Sequence, residues 1–347
     1  MSDASSGPSI RIGKGLGDVS ESTLRFYRQI GVEAVSMPTK WSKQTGKAPG
    51  TRLLVPKTQT GPSGKQPDPW DRSELIRIRE RIESFGLIPS VAGLPLSGNI
   101  LLGKEGRDQD LEKVIACIEI AGEIGLEVLT YNFTALRASE GYAARVAGGR
   151  GGSDLRDFDN DRITKLPPLD SVGRHTEEQL WKRIEWFLKT VVPVAESAGI
   201  RLAVHPNDPP VPEYRGVAQP LSTLDGLKRL IEIVDSPSNS LFFDTGVTTE
   251  IGQDAAEAIR FFGSRNRIAH VHFRNVRVET PRYKYVETFL DEGDCDIQAC
   301  MKAFKEVEYS GLLDPDHTPG ITDDTPDTRI GWAFTVGQLV SLRNSVS

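Results

Sequence analysis

Arg201-Leu-Ala-Val-His205-Pro206 is a run of apolar residues that ends at a histidine followed by a proline. The run predicts a buried strand with an imidazole at its C-terminal end, where α/β proteins carry their chemistry. Three later runs also end on side chains that can bind a metal. They are Leu241-Phe-Phe-Asp244, Ile268-Ala-His270-Val-His272 and Gly311-Leu-Leu-Asp314-Pro-Asp316-His317. Four such strand ends predict one shared metal site.

A second pattern, an amphipathic segment followed by glycine and a hydrophobic run, recurs along the chain. It occurs at Gly31, Gly86, Gly125, Gly199 and Gly311. Glycine just after a helix supplies the left-handed conformation that ends it, so that a strand can follow at once. Helices that separate strands predict parallel pairing and a covered sheet.

Eight strands fit this pattern, and they predict an α/β fold. We expect them near residues 9–14, 32–37, 87–92, 126–132, 200–205, 240–244, 267–273 and 311–316. Eight strands alternating with helices favour a (β/α)8 TIM barrel, and a doubly wound open sheet is the alternative. Apolar stripes support the helices, and a capping-box pattern at Thr176 to Gln179 opens one of them. The whole chain, residues 1–347, is interpreted as one barrel domain.

Three long segments follow predicted strands, at residues 38–70, 133–174 and 274–294. All three would emerge at the C-terminal face of a barrel, where long insertions usually shape a substrate pocket. Flexible surface decoration explains the glycine cluster at 148–152 equally well. That cluster is not a phosphate-binding fingerprint, because no strand-to-helix turn frames it.

The composition argues against several classes of protein. The chain has 347 residues and a net charge of −6, and it lacks the basic stripe of a nucleic-acid-binding protein. No apolar run approaches the length of a membrane span, and the first eight residues lack the apolar core of a secretory signal. Three cysteines cannot all pair and show no zinc-finger spacing. We therefore expect a cytoplasmic protein without nucleic-acid or membrane partners.

The strand-end side chains His205, Asp244, His272 and Asp316 are the expected metal ligands. Two imidazoles and two carboxylates without a thiolate suit Mn²⁺, and less selectively Mg²⁺, Co²⁺ or Zn²⁺. We expect alternation to turn the imidazoles of His270 and His272 to opposite sides of their strand, so that only His272 reaches the centre. Each histidine taken alone is better explained as a satisfied polar residue, and only their joint placement favours a metal centre.

Two further residues near these strand ends carry expected chemistry. His317 adjoins Asp316 and could serve as an acid or base beside the metal, or it could be a surface histidine that only supports a ligand. Arg274 lies two residues past His272, and its planar guanidinium could clamp a carboxylate. An ion pair within the loop is the alternative for Arg274.

Six strings form an ordered set from about residue 200 to the C-terminus. They are His205-Pro-Asn-Asp208-Pro-Pro, Val234-Asp-Ser-Pro237 with Asn239, Thr245-Gly246, His272-Phe-Arg274-Asn275-Val276-Arg277, Gly293-Asp294-Cys-Asp296 and Pro315-Asp316-His317. Together they resemble the mannonate dehydratase family. Weaker similarity extends upstream to Tyr131-Asn132-Phe133. The first and fourth strings are quite specific when they occur together.

The resemblance implies a xylose-isomerase-like TIM barrel, a divalent metal that is typically Mn²⁺, and a homo-oligomer. The implied reaction is the dehydration of a sugar acid, most directly D-mannonate to 2-keto-3-deoxy-D-gluconate and water. With it come His317, Arg274 and Asp208 as catalytic residues. The substrate-binding residues that the resemblance implies are Arg274, Asn275, Tyr131, Glu287 and Trp332.

The chain departs from the family pattern at three positions. Asp244 stands where the family has a metal-binding cysteine; aspartate is a competent and harder ligand, and related barrel epimerases use one there. Tyr285-Val286-Glu287 replaces a Phe-His-Glu motif, and Gly331-Trp332 replaces a Gly-Tyr pair whose tyrosine is thought to assist proton transfer. An indole cannot titrate, so a dehydratase would need Tyr283, Tyr285 or a metal-bound water as its acid.

Two other kinds of function stay open from the sequence. The same barrel and metal could serve an epimerase, an isomerase or a β-eliminating lyase that acts on a keto sugar, and loss of water from the substrate discriminates among them. A degenerate barrel that only binds a sugar acid, or serves as an oligomerisation partner, would bind metal weakly or lack a ligand. All four expected ligand positions hold competent side chains, which argues against the degenerate barrel.

Overall fold

The structure is a computed structural model and describes residues 9–41 and 60–346. The segment expected at 38–70 therefore lies partly outside the described residues. The strands are β1 (Arg11–Gly15), β2 (Ala34–Met37), β3 (Ile88–Gly93), β4 (Val128–Asn132), β5 (Tyr142–Arg145), β6 (Leu155–Asp159), β7 (Arg201–His205), β8 (Glu213–Tyr214), β9 (Val217–Ala218), β10 (Asn239–Asp244), β11 (Ile268–His272), β12 (Asn275–Thr280), β13 (Lys284–Thr288) and β14 (Leu312–Asp314). The helices are α1 (Glu21–Gln29), α2 (Arg72–Glu83), α3 (Gly98–Leu102), α4 (Arg107–Glu123), α5 (Glu177–Ser197), α6 (Leu224–Ile233), α7 (Thr245–Glu250), α8 (Ala255–Gly263), α9 (Ile297–Glu306) and α10 (Arg329–Ser345).

Eight of the strands close into a parallel barrel, in the order β1-β14-β11-β10-β7-β4-β3-β2. These are the eight strands expected from the sequence, and each starts within two residues of its predicted position. Because β1 pairs with both β2 and β14, no edge strand remains in this sheet. The prediction of a (β/α)8 barrel is therefore confirmed, and the doubly wound open sheet is wrong.

The register of the strands brings their C-terminal ends to one level. His205 on β7 pairs with Asn132 on β4. His272 on β11 pairs with Asp244 on β10 and with Asp314 on β14. Side chains at these ends therefore meet at one mouth of the barrel, where barrels of this kind carry their active sites.

Small and apolar side chains fill the barrel below that mouth. They include Ala34, Val91, Val128, Ala203, Phe242, Ala269 and Leu312. Gly13 lies beside them, and a Cβ at this position would approach the side chain of Leu312 to 2.0 Å. The interior is therefore a packed core that supports the site from below.

Helix boundaries follow the signals in the sequence. Positive φ angles of 102°, 72°, 73° and 70° occur at Gly31, Gly86, Gly125 and Gly199. Gly311 does not share this conformation. A Cβ at this position would lie 2.3 Å from the hydroxyl oxygen of Tyr309, so only glycine fits there without a shift of the tyrosine. Thr176 and Gln179 form the predicted capping box of α5.

The helices of the described ranges are too short or too polar to span a lipid bilayer.

Two of the segments expected to be long loops form a sheet with each other. Segment 133–174 contributes β5 and β6, segment 274–294 contributes β12 and β13, and the four strands pair antiparallel in the order β12-β13-β6-β5. Glu287 on β13 lies opposite Arg156 on β6, and Tyr285 lies opposite Phe158. The expectation of loops was incomplete: β5–β6 and β12–β13 are hairpins within their own segments, and only the pairing of β13 with β6 joins residues 131 positions apart, as at Arg156 and Glu287. We refer to these four strands as the inserted sheet.

Candidate metal centre and active site

The C-terminal ends of β7, β10 and β11 bring His205, Asp244 and His272 together. Nε2 of His205 lies 3.2 Å from Nδ1 of His272, and each of these nitrogens lies 3.4 Å from Oδ2 of Asp244. One ligand atom from each residue lies within 4.8 Å of the others. Three of the four expected ligands are thus placed where one metal ion could bind them all.

Neighbouring backbone groups orient these ligand atoms. Nδ1 of His205 lies 2.8 Å from the carbonyl oxygen of Pro206, so Nδ1–H donates there and Nε2 carries the lone pair. Oδ1 of Asp244 accepts a hydrogen bond of 2.8 Å from the amide of Val247 at the start of α7. Oδ2 is left to face the two imidazoles. Nitrogen and carboxylate lone pairs that converge in this way fit a divalent metal.

Charge within the cluster also favours a cation. Burial would raise the pKa of Asp244, but Arg274 and the two imidazoles outweigh burial and hold this pKa well below its usual range. Burial would lower the pKa of His205, but Asp244 outweighs it and leaves that pKa raised. Asp244 is therefore an ionised carboxylate, and it stabilises positive charge beside it.

Asp316, the fourth expected ligand, lies at the other edge of the His272 ring. Its Oδ1 is 3.4 Å from Nε2 of His272, and its Oδ2 is 2.7 Å from Nε2 of His317. The backbone at Asp316 has a φ of 55°, a left-handed conformation that costs about 1–2 kcal/mol. Strain of this kind clusters at functional sites. The role of Asp316 as a metal ligand stays a prediction.

His270 also faces the barrel interior, so the expected alternation of the two imidazoles is wrong. Residues two apart on a strand share a face, and the ring of Phe242 accordingly lies 4.2 Å from that of His270 and 4.1 Å from that of His272. The His270 and His272 rings are 6.2 Å apart. Burial and the nearby His272 lower the pKa of His270 to about 3. His270 is therefore a neutral residue below the cluster.

Arg274 lies within a buried cluster of acids. Its Nε is 3.0 Å from Oδ2 of Asp244 and its Nη1 is 2.8 Å from Oε1 of Glu250. Its Nη2 is 3.1 Å from Oδ2 of Asp208. The side chain is 3% exposed, and each of its three nitrogens faces a different carboxylate. The interactions of Arg274 therefore reach well beyond a loop ion pair.

Acids outnumber arginines around this centre. The acids that face it are Asp208, Asp244, Glu250, Glu287 and Asp316, and the arginines that contact them within the described ranges are Arg156 and Arg274. Burial raises the pKa of Glu250 well above its usual value, and the neighbouring acids add to this although Arg274 opposes it. Excess negative charge of this kind favours a bound divalent cation.

Asp208, in the loop after β7, contacts two tyrosines of the inserted sheet. Its Oδ1 lies 2.5 Å from Oη of Tyr142 and 3.2 Å from Oη of Tyr285, and the two hydroxyls are 2.7 Å apart. Burial, together with Asp208, raises the pKa of Tyr142 well above its usual value. Burial and Glu250 do the same for Tyr285. Both phenols therefore stay protonated and can donate.

His317 lies between Asp316 and the inserted sheet. Its Nδ1 is 3.9 Å from Oε2 of Glu287, and its Nε2 is 3.3 Å from Nη1 of Arg156. The same Nη1 lies 3.1 Å from Oε1 of Glu287. Burial would lower the pKa of His317, but Asp316 and Glu287 outweigh it and leave this pKa raised. These two carboxylates therefore favour the protonated form of His317.

Sequence reasoning missed three residues of this site. Tyr142 and Arg156 lie in the segment 133–174 that was expected to be a loop, and no local pattern marks either of them. Glu250 ends the short helix α7, six residues after Asp244, and is completely buried. A glutamate that closes a run of small uncharged residues was the available signal for Glu250.

The remaining expected substrate-binding residues make contacts elsewhere. The ring of Tyr131 packs 5.5 Å from that of Phe187 on α5. The side-chain amide of Asn275 donates to the carbonyl oxygens of Leu290 and Cys295. Trp332 is completely buried, with Nζ of Lys14 4.1 Å from its ring. Substrate contacts by Tyr131, Asn275 and Trp332 therefore stay predictions.

Comparisons with known proteins agree with this geometry. The chain matches the family described as D-mannonate dehydratase (UxuA) over residues 43–173 and 152–345. It is 28% identical over 313 residues to the mannonate dehydratase of Oceanobacillus iheyensis, which covers 82% of this chain and 86% of that protein. The fold is similar to that of mannonate dehydratase from Streptococcus suis serotype 2, with a TM-score of 0.80, 23% identity and coverage of 98% and 94% of the two chains. It is also similar to a xylose isomerase domain protein from Planctomyces limnophilus, with a TM-score of 0.59, 14% identity and coverage of 98% and 99%.

Proposed function

This chain belongs to the D-mannonate dehydratase (UxuA) family, and from that premise we propose that it converts D-mannonate to 2-keto-3-deoxy-D-gluconate and water. The reaction removes the hydrogen at C2 and the hydroxyl at C3 as one water, and the resulting enol becomes the 2-keto group. The observation that carries the proposal is the convergence of His205, Asp244 and His272 at the mouth of the barrel.

The proposed metal is Mn²⁺, with Mg²⁺ or Co²⁺ as alternatives. His205, Asp244 and His272 would hold it, and Asp316 is the proposed fourth ligand. Nitrogen and carboxylate donors without a thiolate support this choice. A bound divalent ion supplies a Lewis acid that polarises the oxygens of a sugar acid and favours loss of the C2 proton.

His317 is the proposed base for the proton at C2. Its Nε2 lies 2.7 Å from Oδ2 of Asp316, so Nε2–H donates there and Nδ1 is the nitrogen free to accept a proton. Glu287 lies 3.9 Å from this Nδ1 and would stabilise the imidazolium that forms. The same two carboxylates therefore orient the base and favour its protonated form.

The proposed acid for the departing C3 hydroxyl is the pair of phenols on Asp208. Tyr142 and Tyr285 both donate toward Oδ1 of Asp208, while Oδ2 of Asp208 lies 3.1 Å from Nη2 of Arg274. A carboxylate anchored by an arginine can hold two hydroxyls in place and exchange protons with them. Tyr283, the other tyrosine considered from the sequence, is 38% exposed and lines a groove with Asn160.

Incubation of the Mn²⁺-loaded protein with D-mannonate in D₂O tests the proposed reaction. Mass spectrometry should show a product that has lost one water and that carries deuterium at C3, because the enol takes its new proton from solvent. Protein stripped of metal by a chelator serves as the control and should give no product. Deuterium incorporation without loss of water would instead identify an epimerase or isomerase and would overturn the dehydratase proposal.

Trp332→Tyr tests whether a phenol at this position limits the reaction. We expect turnover of D-mannonate to stay within about threefold of the wild type, because Trp332 packs on Lys14 and the site already contains the phenols of Tyr142 and Tyr285. Loss of packing should lower the free energy of unfolding by about 1–3 kcal/mol. Steady-state kinetics and urea unfolding measure the two effects. A large rise in turnover would contradict the assignment of the acid to the inserted sheet.

Cytoplasmic localisation is part of the proposal. The three cysteines are buried and free, including Cys295 and Cys300, whose sulfur atoms are 3.6 Å apart. Few cysteines, buried as small apolar side chains, are typical of a protein of a reducing compartment. A homo-oligomeric state stays a prediction from the family resemblance.

A further inference from the structure

We propose that Arg156, on the inserted sheet, forms a binding subsite for the carboxylate of the substrate. This inference rests on the proposed function, because it takes a sugar acid as the ligand. It assigns to Arg156 the clamp that the sequence suggested for Arg274. The subsite consists of the guanidinium of Arg156, the imidazole of His317 beside it and the ring of Tyr142 beneath it.

Arg274 is poorly suited to clamp a substrate carboxylate. Its Nε, Nη1 and Nη2 face the carboxylates of Asp244, Glu250 and Asp208, all within 3.1 Å. A substrate carboxylate could bind to Arg274 only by displacing one of these buried acids. A buried carboxylate that loses its cation pays a large desolvation penalty. Arg274 therefore holds the site together and is not free to bind the substrate carboxylate.

The guanidinium of Arg156 has a buried N–H group, at Nε, that no described residue accepts. Its hydrogen bond to an acceptor among the described residues leaves from Nη1, toward Glu287, and the same Nη1 lies 3.3 Å from Nε2 of His317. Its Nε is buried and has no hydrogen-bond partner among them. A guanidinium binds a carboxylate best through two parallel N–H groups, and the edge that carries Nε can supply them. Arg156 can therefore bind an anion without giving up Glu287.

Crowded donors beside Arg156 also indicate an anion. Nε2 of His317 donates to Asp316 at 2.7 Å, so it carries a hydrogen, yet it lies only 3.3 Å from Nη1 of Arg156. Two donors in such close contact repel each other unless an acceptor lies near both. The carboxylates of Glu287 and Asp316 supply some of the acceptors that these N–H groups need. The carboxylate of a bound substrate would supply another.

The orientation of Arg156 is fixed in advance. The guanidinium lies over the ring of Tyr142, with its central carbon 3.7 Å from the ring centroid, a distance suited to a cation–π contact. Arg156 also lies opposite Glu287 in the register of β6 and β13. A guanidinium group that is already held in one orientation loses little conformational entropy when it binds a planar carboxylate.

Binding at Arg156 would also place the reacting carbon. C2 is the atom bonded to the carboxyl carbon, so a carboxylate on Arg156 brings the C2 proton into the neighbourhood of the adjacent His317. Because C1 and C2 are bonded to each other, the group that binds the C1 carboxylate and the base that acts at C2 are expected to be neighbours, as Arg156 and His317 are. Arg156 contributes orientation to the reaction as well as affinity.

Arg156→Gln and Arg156→Lys test the subsite in the Mn²⁺-loaded protein. The KM for D-mannonate should rise about 10- to 100-fold in Arg156→Gln, and Arg156→Lys should recover part of the loss because it keeps the charge without the fork. Calorimetry with 2-deoxy-D-gluconate, a sugar acid that lacks the C2 hydroxyl, should show the same order of affinities. Arg145→Gln is the matched control, since Arg145 lies on the same sheet in an exposed ion pair with Glu279, and it should leave KM and affinity unchanged.

Two readouts separate the possible failures. Wild-type affinity for 2-deoxy-D-gluconate in both Arg156 variants would overturn the subsite even if D-mannonate is the substrate. A lower kcat at unchanged KM would also overturn it, because that pattern means that Arg156 only positions His317. If the wild type does not dehydrate D-mannonate, the proposed function fails, whereas the binding measurement still decides whether Arg156 recognises a sugar carboxylate.

Discussion

Replacement of His272 with alanine is expected to abolish metal binding and to lower dehydration of D-mannonate by at least about 10³-fold. His272 contributes one of the two nitrogens that converge with Oδ2 of Asp244. Without it, the centre keeps one imidazole and carboxylates, a set with weaker affinity for Mn²⁺. Elemental analysis after dialysis measures the bound metal, and circular dichroism should show an intact barrel.

His270→Gln is the matched control for His272→Ala. Both histidines lie on β11 and face the barrel interior, but His270 packs below the cluster against Phe242. We expect the His270 variant to keep its metal and most of its activity. Metal content near that of the wild type in His272→Ala would show that the wrong ligand was chosen, and loss of metal in His270→Gln instead would identify the true one.

The strand ends could be predicted from the sequence because each depends on short-range information. An apolar run that stops at His205 or Asp244 identifies both the strand and the residue at its mouth. Alternating helices then require parallel strands, whose C-terminal ends lie on one face. The sequence therefore groups three metal-capable residues, His205, Asp244 and His272, at one end of the barrel. Alternation along β11 does not separate His270 from His272, since residues two apart share a face.

The inserted sheet could not be predicted in the same way. Arg156 contacts Glu287 across 131 residues of chain, and this pairing depends on how two long segments meet above the barrel. The register between β6 and β13 is set where the two segments meet, and neither segment alone specifies it. Tyr142 and Arg156 thus became visible only with the fold. The same limit explains Arg274, whose partners come from β10, α7 and the loop after β7.

Replacement of Arg274 with methionine is expected to lower the free energy of unfolding by about 3–5 kcal/mol. The guanidinium is buried among Asp208, Asp244, Glu250 and Asp316, with Nε 3.3 Å from Oδ2 of Asp316. Without it, these carboxylates repel one another in a largely buried site. Urea unfolding of the metal-free protein measures the loss.

Arg267→Met is the control for burial of an arginine as such. Arg267 is also largely buried, but its ion pair is with Asp235, which is 93% exposed. An acid in water needs no counter-charge, so this variant should lose less than about 2 kcal/mol. A similar loss in the two variants would mean that packing of the arginine stem, and not charge, explains the effect.

A second substitution locates the charge effect within the cluster. At a pH above the raised pKa of Glu250, Glu250→Gln removes one negative charge from the cluster and should restore part of the stability lost in Arg274→Met, whereas in the wild type it breaks a favourable ion pair of 2.8 Å. Opposite effects of one substitution in two backgrounds are a coupling that packing alone does not produce. Mn²⁺ should likewise stabilise Arg274→Met more than the wild type, because the ion supplies the missing positive charge. Additive effects of the two substitutions would show that Arg274 does not balance the acids of this site.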